Sequence, residues 1–246
     1  MPSPRPSSLT TSTITMKAAL IVVDMQEDFC PPNGSLAVQG ARDLAPTINS
    51  LLAHPGFAVR VASQDYHPLD HISFATNHPK PNNRPFECSI EMVNPAPGKD
   101  AETKQQTLWP VHCVQQTPGA EIIPEIDVSK IDLFVQKGMH PRVEMYSAFA
   151  DAFGNQDPAI VSVNADLRTF LTDRGVTHVF VVGVAGDFCV KHTALDAAVA
   201  GFQSHVVHDA TECVVPGSGW EETTRELTAA GISIVRSDGP EIASLV

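Results

Sequence analysis

The chain is short of positive charge, of long apolar runs and of paired cysteines, and each shortage removes a class of function. Sixteen Lys and Arg stand against 28 Asp and Glu in 246 residues, a formal net charge of −12. Phosphate contacts need a basic face, so no nucleic-acid partner is expected, and an anionic membrane surface is disfavoured for the same reason. No apolar run approaches the ~20 residues that a membrane span requires. The five cysteines, at 30, 88, 113, 189 and 213, are odd in number and form no CxxC pair. A chain of this size needs no disulfide staples, which suggests reduced thiols and an intracellular, cytoplasmic setting. The opening MPSPRPSSLTTSTITM lacks acidic residues and apolar periodicity and reads as a disordered tail. With Arg5 its only basic residue, it makes a poor transit peptide. The expected division is a tail at 1–16 and one domain at 17–246.

What is present is a repeating pattern. Six short apolar runs (Ala18–Val23, Phe57–Ala62, Ile131–Val135, Val179–Val184, His205–His208 and Ile232–Val235) read as strands. Helical periodicity marks Ala41–Leu52, Ala165–Arg174, Val190–Ala200 and Glu221–Ala230. Alternation of this kind predicts an α/β fold with a mainly parallel six-stranded sheet covered on both faces. The segment 66–130 interrupts it with nine of the twenty prolines and no sustained period. A connection that long is usually functional.

Chemistry-bearing residues follow the first four strands: Asp24, Asp65, Lys137 and Cys189. In open parallel sheets the ligand crevice lies outside the carboxyl ends of the strands, so these four are expected to converge. Cys189 is expected at a strand-to-helix turn, where free amides and the helix dipole favour a thiolate. Lys137 would lower the thiol pKa further, and Asp24 would shuttle the proton. A buried, inert Cys189 is the bland alternative, and a Cys189–His192 pair is a minor rival. Cys30 and Cys113 are expected in the core or in loops. A second group, QDYHPLDH with the remote WPVHC, offers Asp65, His67 and His112 as a carboxylate–imidazole site for zinc, iron or manganese, with His71 and His78 as further candidates.

The segments ALIVVDMQEDFCPPNGSLAV, SQDYHPLDHISFATNH, LWPVHCVQQTPGAEI, VQKGMHPRVEMYSAF and GVAGDFCVKHTALDAA resemble the isochorismatase-like cysteine hydrolases. Within them, the DxH followed by a WPxHC histidine resembles the nicotinamidases. The resemblance implies a Rossmann-like three-layer sandwich, a triad of Asp24, Lys137 and Cys189, one divalent metal on Asp65, His67 and His112, and a cis peptide at Val184–Ala185. It also implies nicotinamide as a small-molecule substrate, hydrolysed to nicotinate and ammonia through a thioester, as in NAD salvage. Phe29, Trp109 and Tyr146 are candidate walls for the ring, and the amides of Ala185 and Cys189 candidate oxyanion donors. His71 follows His67 by four positions where several bacterial relatives place a histidine six positions on, so a ligand role and a supporting role both stay open. Gly186 stands where many relatives carry threonine, which implies a looser turn. Metal identity and homo-oligomer formation are left open. So are two other functions: a carbamoyl or ureido amidohydrolase of the same superfamily, and a non-catalytic cysteine redox sensor. A purely structural metal site is disfavoured because such sites normally close with four ligands.

Overall fold

The computed structural model describes residues 16–155, 160 and 162–245. The tail expected at 1–16 therefore lies, apart from Met16, outside the described residues. In chain order the elements are β1 (Ala18–Val23), α1 (Ala45–Ala53), β2 (Phe57–Asp65), β3 (Ser89–Val93), β4 (Thr103–Thr107), β5 (Leu133–Lys137), α2 (Leu167–Asp173), β6 (His178–Val184), α3 (Lys191–Val199), β7 (Gln203–Glu212), α4 (Ser218–Ala229), β8 (Ser233–Val235) and α5 (Pro240–Ala243).

Six strands form one sheet in the order β5-β2-β1-β6-β7-β8, every neighbouring pair parallel. The central β1 is buried along its whole length, as a strand covered on both faces must be. Its side chains alternate between two cores. Ala18, Leu20 and Val22 pack with Ile48, Leu51 and Leu52 of α1 and Ile242 of α5. Ala19, Ile21 and Val23 pack with Leu171 of α2, Ala194 and Ala197 of α3 and Leu227 of α4. The result is the expected three-layer α/β sandwich. Counted within this sheet alone, the strand order is 3-2-1-4-5-6, so the chain reverses direction across the sheet between β1 and β6. That switch point is where such folds hold ligands.

Several elements differ from the sequence pattern. β5 starts at Leu133 and ends on Lys137, and β7 runs on to Glu212 through a register shift opposite Val181–Gly183. The helix expected at 41–52 opens with a 3-10 turn over Ala41–Leu44. Within 66–130, β3 and β4 form an antiparallel pair. SIEMV is only five residues long and its partner TKQQT has no apolar residue, so the pair shows no sustained strand period. Among the described residues no helix is long and apolar enough to cross a membrane.

Candidate active site

The site is assembled at the carboxyl ends of β1, β2, β5 and β6. Asp24 follows β1 with a left-handed backbone, φ 49°. Asp65 and Lys137 are the last residues of paired strands β2 and β5 and sit opposite one another in register. Gly183, at φ 106°, lets the β1 carbonyl of Val23 come in close, since a β-carbon there would lie 2.1 Å from that oxygen. Cys189 lies within a π-helical turn, Gly186–Val190, that joins β6 to α3 and is closed by the Val190 amide donating to the Ala185 carbonyl at 3.0 Å. Such wide turns recur at functional sites. The Val184–Ala185 peptide is cis, as the resemblance implies.

Lys137 is the hub. Its buried Nζ lies 2.9 Å from Asp24 Oδ2, donates to the Cys189 sulfur at 3.4 Å, and ion-pairs closely with Asp65 Oδ1. Asp24 Oδ1 accepts from Ser63 Oγ at 2.6 Å. Oδ2 has no bond of good geometry despite the nearby ammonium, which leaves it free to receive a proton from the adjacent thiol. Burial pushes the Cys189 thiol well above its ordinary pKa, and although Lys137 pulls it down, Asp24 and Asp65 push it up again. Desolvation and the two carboxylates thus act on the sulfur against the Lys137 ammonium, a direction opposite to the one the strand-to-helix position suggested. Burial also raises Asp24, against the pull of Lys137. Burial would raise Asp65 too, but Lys137 and His67 hold its carboxyl far below the usual carboxylate range.

A second group shares Asp65. Its Oδ2 lies 3.5 Å from His67 Nε2 and 3.8 Å from His112 Nε2. His67 Nδ1 lies 2.8 Å from the Gly138 carbonyl and His112 Nδ1 2.7 Å from the Pro110 carbonyl. Those carbonyls accept the Nδ1 protons and turn both Nε2 atoms towards Asp65; burial lowers the His67 pKa but Asp65 more than reverses this, so a cation bound here would displace a proton from His67. Gly138 makes room, since a β-carbon there would stand 2.4 Å from the His67 ring. His67 Nε2 is buried without any hydrogen-bond partner, an orphan that a cation would satisfy. Burial and the nearby His67 lower His112 to about 4, which keeps it neutral and able to ligate.

The remaining candidates separate cleanly. His71 stacks on His67 at 4.1 Å; its Nδ1 meets Ser73 Oγ at 2.8 Å and its Nε2 the Val143 carbonyl at 3.1 Å, and with His67 and Glu144 it forms a second group of donors close enough to hold an ion. His78 Nε2 is engaged with the Ile72 carbonyl at 2.6 Å. His192 stacks on Tyr146 at 5.4 Å and makes no bond to Cys189. Cys30 and Cys113 are buried, and burial pushes Cys30 up to about 11. Phe29, Trp109, Tyr146 and Ala185 line one cleft together with Asp65, His112 and Cys189. Tyr146 is fixed by its hydroxyl, which accepts from Trp109 Nε1 at 3.0 Å and Gln106 Nε2 at 2.8 Å. Leu36, Glu144, Phe188 and Val214 complete the lining. Of these the buried Glu144, a lone acid in the apolar run VEMYSAFA, carried a signal that could have found it.

Sequence and structure comparisons agree with this fold. The isochorismatase domain model matches residues 18–238, and the chain belongs to that family. Among its members it is similar to nicotinamidases: it is 38% identical over 219 residues to the nicotinamidase of Acinetobacter baylyi, which covers 89% of this chain and 92% of that one. The yeast nicotinamidase Pnc1p bound to the inhibitor nicotinaldehyde superposes with a TM-score of 0.80 at 34% identity, covering 89% of this chain and 99% of the other. The pyrazinamidase of Pyrococcus horikoshii, solved in complex with zinc, superposes at 0.67 with 32% identity over the same shares.

Proposed function

We propose that the chain hydrolyses nicotinamide to nicotinate and ammonia through a thioester on Cys189, as a metal-dependent cysteine amidohydrolase of NAD salvage. One observation carries the reading. One aromatic-walled cleft is lined by the Cys189 thiol together with Asp65 and His112, so that a nucleophile and metal-donor side chains border the same space walled by Phe29, Trp109 and Tyr146, which suits an aromatic ring with a carboxamide. Asp65, His67 and His112 would hold the metal. Zinc, iron and manganese all fit the donor set, and zinc has the precedent of the pyrazinamidase complex. When bound it supplies a Lewis acid for the ring nitrogen of the substrate, fixing the end remote from the reacting bond.

The chain's own groups perform the bond changes. Asp24 Oδ2 takes the Cys189 proton as the sulfur attacks the carboxamide carbon, and the Lys137 ammonium, 3.4 Å away, stabilises the sulfur as its charge develops. The backbone N–H groups of Ala185 and Cys189 hold the oxyanion. Asp24 returns the proton to the departing nitrogen, ammonia leaves, and the thioester remains. Water then attacks that carbonyl with Asp24 again as base, which frees nicotinate and restores the thiol.

Ammonia release from nicotinamide by the purified protein is the direct test, with benzamide beside it. Benzamide keeps the carboxamide but has C–H in place of the ring nitrogen, so it is expected to be a poor substrate. Equal rates for the two would remove the role given to the metal. Release of ammonia from a ureido compound but not from nicotinamide would replace the reading altogether.

A further inference from the structure

Gly186 stands between Ala185 and Cys189, and behind it lies a thiol for which the reaction has no use. A β-carbon added at Gly186 would lie 2.7 Å from Cys213 Sγ, 3.0 Å from Thr211 Cγ2 and 3.4 Å from the Glu212 carbonyl oxygen. Its φ is not in the left-handed region, so crowding and not backbone conformation requires glycine here. Cys213 is 4% exposed, and burial pushes its thiol up to about 12, so it is an uncharged packing group. One residue beyond Gly186, the buried Asp187 carboxylate accepts the N–H of Val214 at 2.9 Å and of Val215 at 3.0 Å. Val214 lines the cleft alongside Ala185, Phe188 and Cys189. The segment that leaves β7 is thus joined to the nucleophile's turn twice, once by packing and once by hydrogen bonds.

We infer that Cys213 and Asp187 are positioning residues: the Cys213 thiol fills the space of the side chain that Gly186 lacks, the Asp187 carboxylate clasps the next two amides, and together they set the spacing between the Cys189 turn and the Val214 wall. Close-packed interiors transmit displacements of this kind without absorbing them. A misplacement of about 1 Å at reacting groups can cost on the order of a hundredfold in rate. The consequence for turnover rests on the proposed nicotinamide hydrolysis, whereas the exchange of space between positions 186 and 213 belongs to the folded chain.

The test is to move a methyl-sized volume across the contact. Gly186→Ala is expected to lower kcat/KM for nicotinamide by roughly ten- to a hundredfold, mostly through kcat. Cys213→Ala alone should cost only a few-fold, and Gly186→Ala with Cys213→Ala should recover most of the loss. Asp187→Ala frees Val214 and should raise KM more than it lowers kcat, a split that plain destabilisation would not produce. Alkylation of Cys189 by iodoacetamide, located by mass spectrometry, gives a readout that needs no substrate. Its rate should change in Gly186→Ala and return towards wild type in the double variant. If nicotinamide is not turned over at all, this arm still decides the proposal. Additive losses in the double variant overturn it, as does an Asp187→Ala protein with unchanged KM. Should Gly186→Ala fail to fold, a folded double variant supports the exchange and an unfolded one refutes it.

Discussion

Lys137 places one fully buried ammonium against two carboxylates and a sulfur. A buried charge of this kind is tolerable only while its partners are present, and removing one member strands the others at a cost of about 3–5 kcal/mol. Burial lowers the Lys137 pKa, but Asp24 and Asp65 more than reverse this and hold it well above its usual value, which in the proposed reaction suits a fixed charge better than a proton carrier. Lys137→Met is therefore expected to lower the melting temperature and to slow both turnover and Cys189 alkylation. Lys137→Arg should keep more of the stability than of the rate, because the larger guanidinium cannot take the same place between three groups. An alkylation rate that is the same in Lys137→Met and wild type would uncouple the lysine from the cysteine. Cys189→Ala should abolish turnover with fold and metal content unchanged, and Cys189→Ser should be nearly as inactive; residual turnover in the alanine variant would remove Cys189 as the nucleophile.

At the scale of the element, β7 carries a group that works against stability. His205 is buried with neither ring nitrogen hydrogen-bonded, stacked on Phe180 at 4.5 Å and facing His178 at 5.9 Å. Burial lowers its pKa, the neighbouring His178 lowers it further, and Glu241 opposes them. The folded chain thus binds a proton less readily than the unfolded chain, whose histidine titrates near ~6.5. Stability is complete above that pH and falls as the pH drops from it towards the folded value, since the unfolded state then binds more protons. His205→Leu should flatten this slope and leave the protein equally or more stable at pH 5, by no more than about 1 kcal/mol. His178, also lowered by burial, preserves part of the slope. Urea midpoints at pH 5 and pH 7.5 measure the effect, and an equal loss at both would contradict it. The apolar run 205–208 was legible as a strand. The lack of partners for its histidine was not, because that depends on Phe180 and His178 of the adjacent β6, which only tertiary pairing brings alongside. Asp187 escaped notice for the same reason, its partners being 27 and 28 residues away.

At the scale of the whole molecule, strand alternation and the residues ending the first four strands were enough to place Asp24, Asp65, Lys137 and Cys189 in one crevice, because the parallel topology permits few arrangements. What sequence spacing alone could not give was the sign of the Cys189 pKa or the engagement of His71, since both follow from burial and from contacts across loops. The assembled molecule nevertheless carries the two residue groups on different loops, joined through Asp65 and Lys137. Cys189 is carried by the turn after β6, whereas His67 and His112 are held by backbone carbonyls in the loops around β2 and β5 and the WPVHC segment. The two should therefore fail differently. Asp65→Ala touches both through Lys137, so His112→Ala is the cleaner probe of the metal end. It should reduce bound divalent metal by on the order of ten- to a hundredfold in affinity or more and raise KM for nicotinamide steeply, with a smaller effect on kcat. Chelation of the wild-type protein should reproduce the rise in KM and, by removing a ligand that binds only the folded state, lower the melting temperature. Iodoacetamide should still reach Cys189 in the His112→Ala protein, but nicotinamide should no longer slow that alkylation, whereas in the loaded wild type it should. If nicotinamide protects both proteins equally, the ring is held by the aromatic walls alone, and Asp65, His67 and His112 have a structural role.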